Sequence, residues 1–239
     1  MKKTFNFSPN FSKRIRSINL IKFVVIHYTG MQSEIASIKR LKSKKSKVSC
    51  HYLINKKGEV FQMVPENKIA WHAGKSKWKN FKNLNRNSIG IELTNKGHKL
   101  GYENFSKLQI QSLVTLCKEL KRKYKIPTSN FLGHSDIAPL RKLDPGEKFP
   151  WQKLSFYKIG LWYKIKVFKV KNNINCKFKN LFFKNIYKIG YRYFQIYKRR
   201  NQDRKIIRVF QQRYLPKNVT GIIDKKTYEI SAYLANKFA

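Results

Sequence analysis

The sequence predicts an α/β domain followed by a smaller helical one. Three observations carry this. Strand-length apolar runs alternate with helical periodicity from about residue 20 to residue 150. After Trp151 the composition shifts, and residues 155–200 are almost wholly Lys, Phe, Tyr, Ile and Asn. From Asp203 onward the apolar spacing is helical again.

Each element has its own signal. Residues 21–29, IKFVVIHYT, form an apolar run of strand length that carries His27 near its end, which suits a central strand. From Ser33, Ile35, Ile38 and Leu41 fall at helical spacing. Residues 49–64 read as two strands joined by a turn at Lys57-Gly58. In NSIGIELTN, Ile89, Ile91 and Leu93 alternate with Gly90, Glu92 and Thr94, and a period of two sends the two sets to opposite faces. Ser106 with Gln109 makes a capping-box start. The helix behind it presents Ile110, Leu113, Val114, Cys117, Leu120 and Tyr124 on one side. In the tail, Ile206, Ile207, Val209, Phe210 and Tyr214 give a helix with an apolar side. Asp224 is placed to cap another helix marked by Tyr228, Ile230, Leu234 and Phe238.

Composition bounds the function. The 239 residues are 41% hydrophobic and 14% aromatic, enough to bury a core and unlike a disordered chain. With 53 Lys+Arg against 12 Asp+Glu the formal net charge is +41, which points first to a polyanionic partner such as nucleic acid. Lysine fills most exposed positions, however, and forms no stripe, so the charge reads mainly as compositional drift. No nucleic-acid-binding motif accompanies it, and no specific nucleic acid is expected as a partner. Three widely spaced cysteines, Cys50, Cys117 and Cys176, argue against a disulfide framework or a Cys-based metal site. No apolar run approaches the roughly 18 residues of a membrane span. The N-terminus has the charges of a signal peptide without an apolar core or a lipid-attachment cysteine.

Chemistry concentrates in few places. His27 lies where α/β sheets expose their sites, beyond the carboxyl end of a strand. In GHSDIAPLRKLDPGEKFPW, Gly133 to Trp151, His134 opens a loop and Asp144 follows ten residues later. Two imidazoles and one carboxylate leave a fourth position open on tetrahedral zinc, the composition of a catalytic site. Pro139, Pro145 and Pro150 stiffen the loop so that His134 and Asp144 can converge. By spacing alone, a histidine after a strand is more often packed or capped than a ligand.

The words FVVIHYT, SCHYLINKKGEVFQMVPENKIAWHAG, NSIGIELTN and GHSDIAPLRKLDPGEKFPW occur in that order. Together they resemble the zinc-dependent N-acetylmuramoyl-L-alanine amidases of the type-2 amidase family, over residues 21–151. The resemblance implies a mixed central sheet flanked by helices and one Zn2+ held by His27, His134 and Asp144. It gives Glu92 and Lys142 catalytic roles, Glu92 moving protons and Lys142 steadying the oxyanion formed at the lactyl carbonyl. His51 would run beside the metal, and His72 and Trp71 would line the groove. Asn87 and Ser88 are plausible donors to a peptide stem, and Arg141 fits a substrate carboxylate. His98 is expected to be exposed.

The tail resembles the three-helix peptidoglycan-binding module, with its first helix near residues 179–191, and so the chain resembles the two-domain subgroup of the family. The expected division is 18–155 for catalysis, 156–178 as a connection and 179–239 as the helical module. A chain ending near Ser155 is expected to keep its activity, provided the cut exposes no large apolar face. Peptidoglycan or muropeptides are the expected partners, cell-wall turnover the expected role, and a monomer the expected state. Location is open between the cell envelope, by resemblance, and the cytoplasm. The competing classes are an inactive peptidoglycan-recognition protein, which requires a lost ligand where none is missing, and a basic nucleic-acid-binding protein.

Overall fold

The computed structural model describes residues 2–165 and 176–238. The first strands are β1 (Thr4–Phe5), β2 (Phe11–Ser12) and β3 (Phe23–Tyr28), followed by helix α1 (Glu34–Lys42). The strands β4 (Tyr52–Ile54), β5 (Val60–Gln62), β6 (Ile69–Ala70), β7 (Lys77–Trp78), β8 (Phe81–Lys82) and β9 (Ser88–Leu93) come next. Then come α2 (Gly97–Leu100), α3 (Lys107–Tyr124), β10 (Phe131–Gly133), α4 (His134–Ile137) and α5 (Trp151–Phe156). The C-terminal helices are α6 (Cys176–Ile189), α7 (Asp203–Tyr214) and α8 (Lys225–Phe238). Part of the expected connection 156–178 lies outside the described residues.

The central sheet has the order β1-β5-β4-β9-β3-β10. Strands β10, β3, β9 and β4 run parallel, β5 is antiparallel to β4, and β1 is parallel to β5. The sheet is therefore mixed, as expected, and its interior strands β3 and β9 are adjacent and almost wholly buried. That burial explains why both read as near-continuous apolar runs.

Alternation along β3 divides the core. Val24 and Ile26 join Ile89, Ile91 and Leu93 in a cluster covered by Ile110, Leu113, Cys117 and Leu120 of α3, the stripe its periodicity predicts. Phe23 and Val25 point the other way, into a second cluster with Leu132, Ile137 and the C-terminal Phe182, Phe183, Ile186 and Phe210. Fully burying side chains of this size is worth roughly 1.5–3 kcal/mol each. The C-terminal helices thus share a core with the sheet face that His27 continues.

Two local expectations change. Ser106 caps α3 by accepting from the Gln109 amide, but the Gln109 side chain donates to the carbonyls of Ile54 and Thr94, so only half of the capping box forms. In α1, Leu41 and Ile38 pack on Cys50, Leu53 and Met63, whereas Ile35 in the first turn stays 78% exposed.

Candidate active site

The two histidines come from neighbouring strands. β10 pairs with β3 so that Gly133 lies opposite Ile26, and the residue that follows each of them is a histidine. The chain then turns through α4 and returns Asp144 to the same point, where the Ser135 amide donates to the Asp144 carbonyl at 2.8 Å. His27 Nδ1 lies 2.9 Å from His134 Nδ1, and both lie 3.0 Å from Asp144 Oδ2. All three side chains are buried. Among the described residues this is the one cluster of three metal-ligating groups.

Hydrogen bonds behind the rings fix their tautomers. His134 Nε2 donates to the Ala73 carbonyl at 3.1 Å. His27 Nε2 meets His72 Nδ1 at 3.0 Å, and His72 Nε2 meets Ser88 Oγ at 3.2 Å. Ser88 Oγ in turn donates to the Leu84 carbonyl at 2.6 Å. Read from that carbonyl inward, every proton in the row has one place, and His27 Nδ1 is left with a lone pair facing His134 and Asp144. Outer groups of this kind orient the rings of metal-ligating histidines.

The electrostatics agree with that arrangement. Burial first, and then the neighbouring His134, bring His27 down to about 4, so its ring is neutral at pH 7. Burial alone would raise the Asp144 carboxyl, but His134 and His27 outweigh it and hold Asp144 well below the usual carboxylate range. Burial, reinforced by Asp144, pushes Glu92 up to about 8 against the pull of Lys142 and Arg40. Glu92 Oε2 is buried and has no hydrogen-bond partner among the described residues.

These groups form the floor of a cavity of about 500 Å³ that Trp71, His72, Arg141 and Lys142 also line. Trp71 is an apolar wall with its indole donating to Ser12 Oγ at 3.2 Å. Arg141 stands at the rim, but Nε and Nη2 already donate to the Lys75 carbonyl, at 3.0 and 2.8 Å, and Nη2 also to that of Ala73. It clasps the wall of the cavity and has fewer donors left for a ligand than an unattached arginine.

Asn87 and Ser88, expected as contacts, do not line the cavity, and His51, expected beside the metal, packs behind its wall. His51 is fully buried behind His72, accepting from the Gly90 amide at 2.9 Å. Ser88 is fully buried and spent on His72 and Leu84. Asn87 lies at the opposite end of β9 from Glu92, donating to the Leu20 carbonyl at 3.1 Å. A strand of six residues separates its two ends by roughly 17 Å, so residues that open the strand do not share a site with one near its close.

His98 departs from expectation in the other direction. It lines the cavity, takes a hydrogen bond from the Tyr28 hydroxyl at 2.9 Å and donates to Glu147 at 3.0 Å. Tyr28, Arg40, Lys96 and Lys99 line the cavity too. One signal for His98 was legible: it follows a turn just beyond the carboxyl end of β9, the sheet edge that also holds Glu92.

Comparison with known proteins places this geometry. Residues 17–147 match the family model described as N-acetylmuramoyl-L-alanine amidase. The chain is 43% identical over 154 residues to the N-acetylmuramoyl-L-alanine amidase AmiD of Escherichia coli, covering 59% of this chain and 55% of that protein. It is 41% identical over 107 residues to the 1,6-anhydro-N-acetylmuramyl-L-alanine amidase AmpD of Citrobacter freundii, covering 45% of this chain and 55% of that one. The matched part spans about half the length of these curated relatives. The fold superposes on Escherichia coli AmiD in complex with anhydro-N-acetylmuramic acid-L-Ala-D-gamma-Glu-L-Lys with a TM-score of 0.82 and 32% identity, covering 95% of this chain and 92% of that one. With more than half of its length matched by one family model and its donors gathered at one point of the sheet edge, the chain belongs to the N-acetylmuramoyl-L-alanine amidase family.

Proposed function

We propose that this chain is a zinc-dependent amidase that cuts the bond between the lactyl group of N-acetylmuramic acid and L-alanine. Its substrates would be peptidoglycan or muropeptides, 1,6-anhydro forms included, and its role cell-wall turnover. The observation that carries this reading is the convergence of His27, His134 and Asp144 beside Glu92 on the cavity floor.

The donor set fits zinc. A tetrahedron with ligand distances of about 2.0–2.1 Å has edges of roughly 3.3 Å. The observed separations of 2.9–3.0 Å need only a small outward relaxation. The neutral His27 ring with its inward lone pair and the ionised Asp144 carboxylate also match the protonation that a metal requires. When bound, Zn2+ would acidify a water and polarise the scissile carbonyl.

The chain's own residues supply the rest. Glu92 accepts the proton of the attacking water and passes it to the amide nitrogen as the C–N bond breaks. Its affinity for protons, set by burial near neutrality, suits both halves of that task. The Lys142 ammonium offsets negative charge developing on the carbonyl oxygen. Trp71 offers an apolar wall, and the basic rim of Arg40, Lys96, Lys99 and Arg141 suits the carboxylates of a peptide stem. We read residues 18–155 as the catalytic unit, 156–178 as its connection and 179–239 as a peptidoglycan-binding-like helical unit.

The test is mass spectrometry of products after incubation with sacculi and with purified anhydro-muropeptides. Free stem peptide and a lactyl carboxylate on the sugar are expected, lost on chelation and restored by Zn2+. An intact muropeptide after incubation with zinc-loaded protein would leave a recognition protein without turnover.

A further inference from the structure

We propose that the C-terminal helices position the metal centre, through Gln212 and Arg213 on α7 and Tyr191 just beyond α6. The inference rests on the metal reading given above. It starts from Asp136, two residues after His134 and 1% exposed. Asp136 Oδ2 accepts from the Gly133 amide at 2.7 Å, which fixes the backbone immediately before His134. The same oxygen takes a charge-assisted bond from Arg213, and Oδ1 takes the Tyr191 hydroxyl at 2.7 Å. Arg213 also donates to the Phe131 carbonyl at 3.1 Å, so one guanidinium holds both β10 and the turn that follows it.

The guanidinium itself is immobilised. It lies 3.9 Å over the Trp151 ring, and Gly160 packs against both groups. A Cβ there would sit 2.9 Å from the Trp151 ring and 3.0 Å from Arg213, at a backbone φ of +77°. The neighbouring Gln212 reaches the other end of the segment, donating to Glu147 at 3.2 Å. Glu147 follows Asp144 by three residues and holds His98, which takes the Tyr28 hydroxyl. Two consecutive α7 residues therefore clamp both ends of the stretch that supplies His134 and Asp144. Nothing local to that stretch supplies those partners, because Arg213 is 77 residues from Asp136 in sequence.

Removing outer support of a metal site costs about ten- to a hundredfold in metal affinity. Arg213→Met leaves Asp136 a buried charge without its partner and is expected to unfold the protein or reduce zinc uptake sharply. Two milder variants keep the question answerable. Tyr191→Phe removes one hydroxyl and leaves its ring against Trp78. Gln212→Ala removes one side-chain bond. For the full chain, zinc affinity is measured by competition with a chromogenic chelator and the Co2+ absorption spectrum is recorded, each beside thermal melting. Weaker zinc binding by severalfold or more in both variants, with an altered Co2+ spectrum and the protein folded at the assay temperature, is the expected result. Wild-type zinc affinity and spectrum in both variants, even with a lowered Tm, would reduce these helices to a buttress and overturn the proposal. If the wild-type chain takes up no zinc, the metal reading fails, and the proposal with it.

Discussion

His27 and Glu92 are cross-strand partners, paired in register on the adjacent parallel strands β3 and β9. Paired residues share a face of the sheet, so this register alone sets the candidate ligand and the candidate proton carrier side by side. Gly90, one pleat earlier on β9, pairs with Val25 and shares that face. The missing side chain at Gly90 makes room for the His72 ring.

Removal of the metal is expected to remove activity. His27→Ala leaves two protein donors, too few to hold zinc well. Metal content and muropeptide turnover should fall together, and turnover should vanish on exhaustive chelation of the wild type. Full turnover after chelation would falsify the proposed mechanism.

Glu92→Gln and Lys142→Ala should retain zinc and lower kcat by about a hundredfold or more, the scale of losing a general base or an oxyanion donor. Metal analysis beside steady-state kinetics separates the cases. Loss of zinc in Glu92→Gln would make Glu92 a ligand, and an unchanged kcat in Lys142→Ala would return that lysine to the solvated surface.

Gly90→Ala tests the row of histidines. A Cβ at Gly90 would lie 2.4 Å from the His72 ring, so His72 must move from its bond to His27. Overpacking of this kind costs typically 1–3 kcal/mol. A lowered Tm together with weaker zinc binding is expected. A fall in Tm with zinc binding untouched would show that His72 does not steady His27.

Glu66 governs part of the acid stability. Burial raises its carboxyl, but bonds from Lys123, Tyr124 and Tyr52 outweigh burial and set it below its ordinary value. A lowered folded value means that the stabilisation is complete above the unfolded value of about 4.3 and is lost as pH falls through the folded one. Glu66→Gln should therefore destabilise by about 1–3 kcal/mol at pH 7. Denaturant titrations of the two proteins should converge as the pH falls below 4. A gap that stays constant from pH 7 to pH 3 would mean that packing, not charge, is what the variant loses.

A chain ending near Ser155 is now expected to fail as a soluble amidase. The cut would uncover Phe23, Val25, Leu132 and Ile137 and leave Asp136 buried without Arg213. The condition attached to the shorter chain, that no large apolar face be exposed, is not met. Expression should give aggregated protein, or folded protein with little zinc. A soluble, zinc-loaded and active fragment would show that the shared core is dispensable.

Much of the fold was legible because its signals are local. The six-residue apolar strand β3, the alternation of β9 and the apolar side of α3 each reflect a repeat set within one element. The proline-rich loop announced His134 and Asp144, and a family resemblance gave them roles. What local periodicity does not encode is which faces meet. Whether Ile35 finds a partner depends on where its helix lies on the sheet, and whether Asn87 or Glu92 sees the cavity depends on which end of β9 opens to it. The row from His27 through His72 to Ser88 spans separations of 45 and 16 residues. The pairing of Asp136 with Arg213 spans 77 residues. Such contacts exist only once the sheet register and the seat of the C-terminal helices are set. A buried arginine in a chain of 53 basic residues looks like any other until the carboxylate it answers is beside it.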